Sequence, residues 1–255
     1  MILDSPFTDP WALAAGIVAA ALVGLSKGGL GSVGVLGVPV LSLVMSPVQA
    51  AGIMLPILIV SDGFSLWTWW KAWHVRTLAI MLPGAVIGVG IGWATAAFVS
   101  DDAVRLIVGV VAVGFVLRWA TQGKVSRATA RPQRAVAGGF WGGLAGYTSF
   151  VAHAGGPPFA VYAMPLNLDP KALTGTSVVF FAVVNALKLF PYFALGQFGT
   201  ENLVSSAMLA PAAIAFTFVG AWIIRRMRAE VFYPVAYALT FLLGLKLIRD
   251  GWIAL

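Results

Sequence analysis

The sequence predicts an all-α, polytopic integral membrane protein: two inverted repeats of about five helical segments each, with short Gly/Pro-broken helices at the centre. Three observations carry that expectation: composition, the spacing of apolar stretches, and an internal duplication. Of the 255 residues, 60% are hydrophobic and 10% are charged, against roughly 25% charged in soluble domains. So few polar groups cannot cover a water-exposed surface of this size. A cytosolic enzyme, a disordered chain and a nucleic-acid binder with a basic stripe are excluded. The absence of Cys removes disulfides, thiolate metal sites and Cys nucleophiles. Two histidines, His74 and His153, are too few for most imidazole metal centres. No metal and no cofactor is expected. The many Trp, Phe and Gly suit helices that anchor at membrane interfaces and pack closely.

A spanning helix needs about 20 apolar residues. Ten charge-poor segments qualify or come near: 10–26, 31–45, 48–70, 76–98, 103–118, 134–151, 157–167, 170–195, 202–224 and 231–250. The second and seventh are short and rich in Gly and Pro, so a full crossing is not assigned to either. The opening Met1-Ile2-Leu3-Asp4 has no basic n-region and no small-residue cleavage site, so no cleaved signal peptide is expected. The one real linker, 119–133, divides the chain into a first repeat, 1–118, and a second, 134–255.

Orientation follows from Lys and Arg. Arg118, Lys124, Arg127, Arg131 and Arg134 cluster on and beside the linker, which places it in the cytoplasm. Alternating crossings then put twelve basic residues inside and three (Arg105, Lys246, Arg249) outside, with Lys188 left within a span. Both termini face outward from what is read as the inner (plasma) membrane. The net charge of +7 is thus an orientation signal, with attraction to anionic lipid as its consequence.

The duplication appears as matched residues. Pro47, Gly52 and Asp62 match Pro170, Gly175 and Asn185 at an offset of 123, and Pro83, Gly92 and Arg118 match Pro211, Gly220 and Lys246 at 128. Matched loops fall on opposite sides under the charge-derived topology, so the repeats are read as inverted. Inverted repeats with Gly/Pro-broken segments in corresponding places are a signature of secondary transporters.

Three constellations carry candidate chemistry. The first is Gly24-Leu25-Ser26-Lys27-Gly28-Gly29-Leu30-Gly31. If a helix starts near Gly31, its free N–H groups and positive dipole end face this loop beside Lys27, which outlines an anion site. Ser26, Lys27, Gly28, Gly29 and Gly31 are the candidate residues, and the plain alternative is a cytoplasmic loop with a topology-setting Lys. The second is Gly146 to Pro158 in the matching place of the other half. Thr148 and Ser149 offer hydroxyls, Gly155, Gly156 and Pro157 open the backbone to a ligand, and His153 adds an imidazole, the side-chain type suited to carrying a proton near neutral pH. A helix-capping His is the alternative there. The third is the pair Asp62/Ser65 and Asn185/Lys188, each spaced i, i+3 and each at the same place in its repeat. Embedded charges line cavities or pair with one another, so an Asp62–Lys188 or Asp62–Lys27 ion pair is the structural alternative. Ser177 and Gln49 are further candidates for lining the same cavity.

Weaker signals have simpler explanations. The run from Trp67 to Trp73 reads as an aromatic belt, and Arg225-Arg226-Met227-Arg228 as a topology anchor. The glycine pairs Gly24–Gly28, Gly88–Gly92 and Gly138–Gly142 read as close helix packing.

At these motifs the chain resembles the TauE/SafE family, the sulfite and organosulfonate exporters grouped with the toluene-sulfonate uptake permeases. The resemblance rests on Gly24 to Gly31 followed by Gly37-Val38-Pro39, on the mirrored Thr148 to Pro158, and on Gly175 to Lys188. It extends over essentially the whole chain. One departure is local: many members carry an uninterrupted glycine run in the first motif, where this chain has Ser26-Lys27 before the glycines and Ser32-Val33 after them. The resemblance implies a transporter of small, sulfur-containing anions.

The expected function is therefore secondary transport of a small oxyanion, such as sulfite or a sulfonate, out of the cytoplasm, and not catalysis. Lys27, Lys188 and the glycine N–H groups are expected to hold the anion, and Asp62 and His153 to balance charge or carry a coupled proton. The rivals are a permease for another small organic anion such as a carboxylate, a membrane-embedded enzyme or assembly factor using His153 and Asp62, and a cation permease. Expected partners are the anion, coupled protons and membrane lipid, with no nucleic acid; oligomeric state is not read from the sequence.

Overall fold

The computed structural model describes residues 7, 9–95, 98–121, 129–194 and 199–253, and every structural statement below concerns these. Among them all regular structure is helical. The helices are α1 (Pro10–Leu25), α2 (Gly37–Leu41), α3 (Pro47–Thr68), α4 (Val75–Thr95), α5 (Asp101–Thr121), α6 (Ala135–Ala152), α7 (Gly156–Ala163), α8 (Pro170–Ala194), α9 (Thr200–Arg226) and α10 (Ala229–Ile253). Seven helices are long and apolar enough to cross a membrane: α1 with its extension to Leu30, α3, α4, α5, α8, α9 and α10. The chain is a multi-pass membrane protein. At 18 residues, α6 comes to only about 27 Å at 1.5 Å per residue.

Local chemistry sets the boundaries. The Ala12 N–H donates to Asp9 Oδ2 at 3.1 Å and fixes the start of α1. Ser46 Oγ accepts from the Gln49 N–H at 3.3 Å and starts α3, so Gln49 sits in the first turn of that helix. Within segment 31–45, Gly31, Gly34, Gly37 and Pro39 permit only a 3₁₀ stretch, Gly31–Leu36, and the five-residue α2. Segment 157–167 becomes the eight-residue α7 and a 3₁₀ turn, Met164–Leu166. No single helix in either segment is long enough to cross. Of the stretch read as a linker, 119–133, helix α5 takes in the residues up to Thr121; residues 122–128, with Lys124 and Arg127, lie outside the described part, as do Met1 to Pro6.

The chain forms two compact units that interleave its halves: residues 1–70 with 185–226, and 71–184 with 227–255. In the first unit α1, α3 and α9 run parallel. Gly16 meets Leu209, Gly24 meets Ala213 and Gly28 meets Thr217, so numbers rise together along α1 and α9. The same holds for α1 and α3, where the side chains of Asp62 and Trp69 bond Lys27 and Gly28 respectively. Two parallel helices need a return pass between them. Segment 31–45 supplies it, with Gly37 packed back against Val23 and Ala19 of α1. The core here joins Ala19, Ala20, Val23, Leu41, Ile53, Met54 and Leu209.

The second unit repeats this plan. Here α4 and α6 run parallel through glycines: Gly84 meets Gly139, Gly88 meets Gly143, and Gly146 meets Ala85. A Cβ at Gly88 would overlap the Gly143 carbonyl oxygen, so only glycine permits this approach. From the end of α6, α7 folds back along it, with Gly155 against Ala145 and the Tyr162 hydroxyl donating to Arg134 O at 3.3 Å. Helices α5 and α10 cross antiparallel, Gly109 against Gly244 and Gly251 against Asp102, with Trp119 stacked on Tyr237 at 4.0 Å. All three glycine pairs singled out in the sequence pack closely against a neighbouring element, as expected.

Candidate functional site

In the first unit, α1 does not stop at Leu25 but widens into a π-helical turn, Ser26–Leu30. Such wide turns inside α-helices frequently mark functional sites. Two positive-φ residues end it, Gly29 at φ 131° and Gly31 at φ 43°. Only glycine adopts the first of these without strain. The Ser26 hydroxyl closes the turn by donating to Gly31 O. The Trp69 Nε1–H donates to Gly28 O at 3.2 Å, and the Ser65 hydroxyl donates to Lys27 O at 2.9 Å. This lattice turns the Lys27 side chain into the protein.

Lys27 is 7% exposed, Asp62 4% and Lys188 1%. Lys27 Nζ forms an ion pair with Asp62 Oδ1. The other carboxylate oxygen, Oδ2, accepts from Asn185 Nδ2 at 2.7 Å. Asp62 and Asn185, which match at an offset of 123 along the chain, meet directly. Their i+3 neighbours diverge in role: Ser65 pins the Lys27 backbone, while Lys188 lies within electrostatic reach of both Lys27 and Asp62. Removing these charges from water is costly unless each is compensated by partners of good geometry. The cluster gathers two lysine side chains and one aspartate.

The first sequence motif therefore works differently from the expected helix start. The helix that follows Gly31 has a single 3₁₀ stretch and five α-helical residues, too little to present a strong positive dipole end. Gly28 serves packing, since a Cβ there would overlap Thr217 O. Lys27 alone of this motif enters a polar cluster.

The second motif lies in the other unit and is organised around Thr148. The N–H groups of His153 and Ala154 both donate to Thr148 O, the latter at 3.0 Å. The Thr148 hydroxyl donates to Leu144 O at 2.8 Å, with Ala154 O at 3.2 Å as a second acceptor. His153 ends α6 in the left-handed region, φ 51° and ψ 25°, where glycine is usual. Thr148 and Ser149 are buried and His153 half-buried. A Cβ on Gly155 would sit 2.7 Å from Ala145 O, whereas Gly156 faces open space within 4 Å. Pro157 and Pro158 then begin α7, where missing N–H groups cost nothing. Ser177, half-buried near the start of α8, belongs to this same unit.

Trp69 and Arg225 are the residues that sequence reading assigned elsewhere. The aromatic-belt reading suits Trp67 and Trp70, which are exposed, but Trp69 is buried and bonds the Lys27 turn. Its spacing of seven from Asp62 and four from Ser65 was the available signal. Arg225 donates to Thr68 O, near the last turn of α3, and its guanidinium lies 5.4 Å from the centre of the Trp69 ring. A basic group at a helix C-terminus is favourable on dipole grounds.

Fold and cluster together define a class: an α-helical multi-pass membrane protein with broken helices at matched places and a buried, charge-bearing polar cluster. The family model described as "Sulfite exporter TauE/SafE" matches residues 16–247, and the chain belongs to that family, whose members are membrane transporters of sulfite-type anions. Neither the curated proteins nor the solved structures gave a match.

Proposed function

We propose that this protein exports a small sulfur oxyanion, sulfite or an organosulfonate, across the inner membrane, and that the anion is held by Lys27 and Lys188. The observation that carries this reading is the buried cluster of two lysine side chains and one aspartate. Two buried lysine side chains beside one carboxylate offer an anion charge-assisted donors. In the conformation described, Asp62 occupies Lys27; the anion competes for that ammonium and takes Lys188 as its second contact. Asp62 and His153 are the groups that balance charge or carry a coupled proton. Export is downhill for charge, because each expelled negative charge gains roughly 2.3 kcal/mol per 100 mV with the inside negative.

The transport architecture is two inverted repeats, 1–118 and 134–255, joined by a cytoplasmic linker, with both termini outside. Support comes from the parallel runs within each unit. Because α1 and α3 are parallel, the first half needs segment 31–45 as a pass. Five passes are an odd number, and the second half then starts from the opposite side.

The test is a binding screen on purified protein with sulfite, sulfoacetate, taurine, isethionate, lactate and sulfate. Anion-dependent thermal stabilisation without product formation supports a transporter. Turnover of any of these compounds would favour the membrane-enzyme alternative.

A further inference from the structure

We infer that the outer face of α3 and α9 holds an anionic phospholipid, with an acyl chain in a hollow over Gly63 and the phosphate on Arg225 and Arg226. Four exposed residues of α3, Val60, Gly63, Phe64 and Trp67, line this hollow, whose volume is about 430 Å³. Gly63 is its floor. A Cβ there would meet nothing within 4 Å, whereas one at Gly24 or Gly28 on α1 would strike the backbone of α9. No close helix approach explains this glycine, and glycine inside a helix is destabilising relative to alanine. What its missing side chain leaves is the hollow itself.

The hollow leads to positive charge. Phe218 of α9 joins it, with ring centres 5.9 Å from Phe64 and 6.2 Å from Trp67. One turn further along α9 is Trp222, and one turn beyond that is Arg226, whose guanidinium lies 4.3 Å from the centre of the Trp222 ring. Arg225 beside it donates to Thr68 O at the end of α3. The eight residues from Phe218 to Arg226 cover about 12 Å at 1.5 Å per residue. Both arginines are exposed, and among the described residues neither pairs with a carboxylate.

This order of apolar hollow, aromatic ring and guanidinium is complementary to the order of acyl chain, interface and phosphate in a phospholipid. Helices α3 and α9 are long and apolar enough to cross a membrane, so their exposed apolar face meets acyl chains. Guanidinium groups bind phosphate through paired N–H donors. A net negative headgroup is preferred to a zwitterionic one, because the same arginines repel a choline ammonium.

The experiment reads tryptophan fluorescence of the full-length protein in phosphatidylcholine vesicles. A minor fraction of the lipid is brominated on its acyl chains, as either phosphatidylglycerol or phosphatidylcholine. The share of Trp67 is the difference between each protein and the same protein with Trp67→Phe. Brominated phosphatidylglycerol is expected to quench that share at roughly 5- to 25-fold lower mole fraction than brominated phosphatidylcholine, the range for one or two basic residues at an anionic surface. Arg226→Gln is expected to reduce the preference roughly 5-fold, and Arg226→Lys, which keeps the charge, to retain most of it. A damaged fold would lose the preference in both. Gly63→Leu fills the hollow and is expected to weaken quenching by both lipids.

Equal quenching by the two lipids in wild type, an unchanged preference in Arg226→Gln, or undiminished quenching in Gly63→Leu overturns the inference. So does a wild-type dimer that Gly63→Leu converts to a monomer while quenching ignores the headgroup, since the hollow is then an interface between two copies.

Discussion

The two chain breaks stand at matched places in the halves and are built from similar material, yet they do different physical work. The first, Ser26 to Leu36, widens a helix and delivers a charged side chain to a carboxylate. The second, His153 to Pro158, ends a helix on an uncharged hydroxyl network and restarts another on two prolines. Around each, the parallel helix pair and the returning short helix are the same. The architecture is shared and the chemistry differs: a charged side chain enters a polar cluster at the first break and an uncharged hydroxyl organises the second. The same divergence recurs one step on, where Asp62 and Ser65 in α3 correspond to Asn185 and Lys188 in α8.

The largest expected effect separates the breaks by charge. Lys27→Met leaves Asp62 buried without its ion-pair partner, which costs about 3 kcal/mol, the lower end for orphaning a buried charge because Lys188 still acts on it. Thr148→Val at the second break removes only a neutral donor, at about 1 kcal/mol. Thermal unfolding in detergent compares them, and equal destabilisation would erase the distinction. Next come the glycines. Gly28→Ala drives a Cβ into the Thr217 backbone and is expected to cost 1–3 kcal/mol or about that range. Gly156→Ala meets open space and should change stability by under about 1 kcal/mol.

His153 gives the smallest stability effect and the sharpest functional one. Relief of a left-handed conformation is worth about 1 kcal/mol, so His153→Gly is expected to melt no lower than wild type. If His153 carries the coupled proton, His153→Gln keeps anion binding and loses the dependence of transport on a pH gradient. Unchanged pH dependence returns His153 to helix capping alone. Topology has its own check in this Cys-free chain: a cysteine introduced at position 127 is expected to resist an impermeant label applied from the periplasm.

Much of this was legible before any coordinates. Apolar stretches such as 48–70 and 231–250 match Pro47–Thr68 and Ala229–Ile253 to within a few residues, because lipid-facing length and composition are local properties. The buried status of Asp62 and Lys188 followed from their place inside apolar spans. The Lys27–Asp62 pair stood in the sequence only as one of two pairings, since distance along the chain cannot say which Lys arrives first. The π-helical turn was not legible. It depends on Ser26, Ser65 and Trp69 bonding backbone from three places, a tertiary arrangement that overrides a pattern which otherwise reads as loop. Gly28 carried both a packing and a ligand-facing reading for a related reason: the two look the same until the neighbouring helix is in place.

The central claim is that the buried ammonium groups hold the transported anion, and Lys188 tests it with least disturbance because Lys27 and Asp62 remain paired without it. The decisive measurement is sulfite efflux from proteoliposomes containing wild type or Lys188→Met, with equal amounts of folded protein. At 1.5–3 kcal/mol for a charge-assisted hydrogen bond, the affinity for sulfite is expected to fall roughly 10- to 150-fold, with efflux at sub-saturating sulfite falling in proportion. Efflux at the wild-type rate and affinity in Lys188→Met would contradict the claim and send the search for the anion site to another part of the chain.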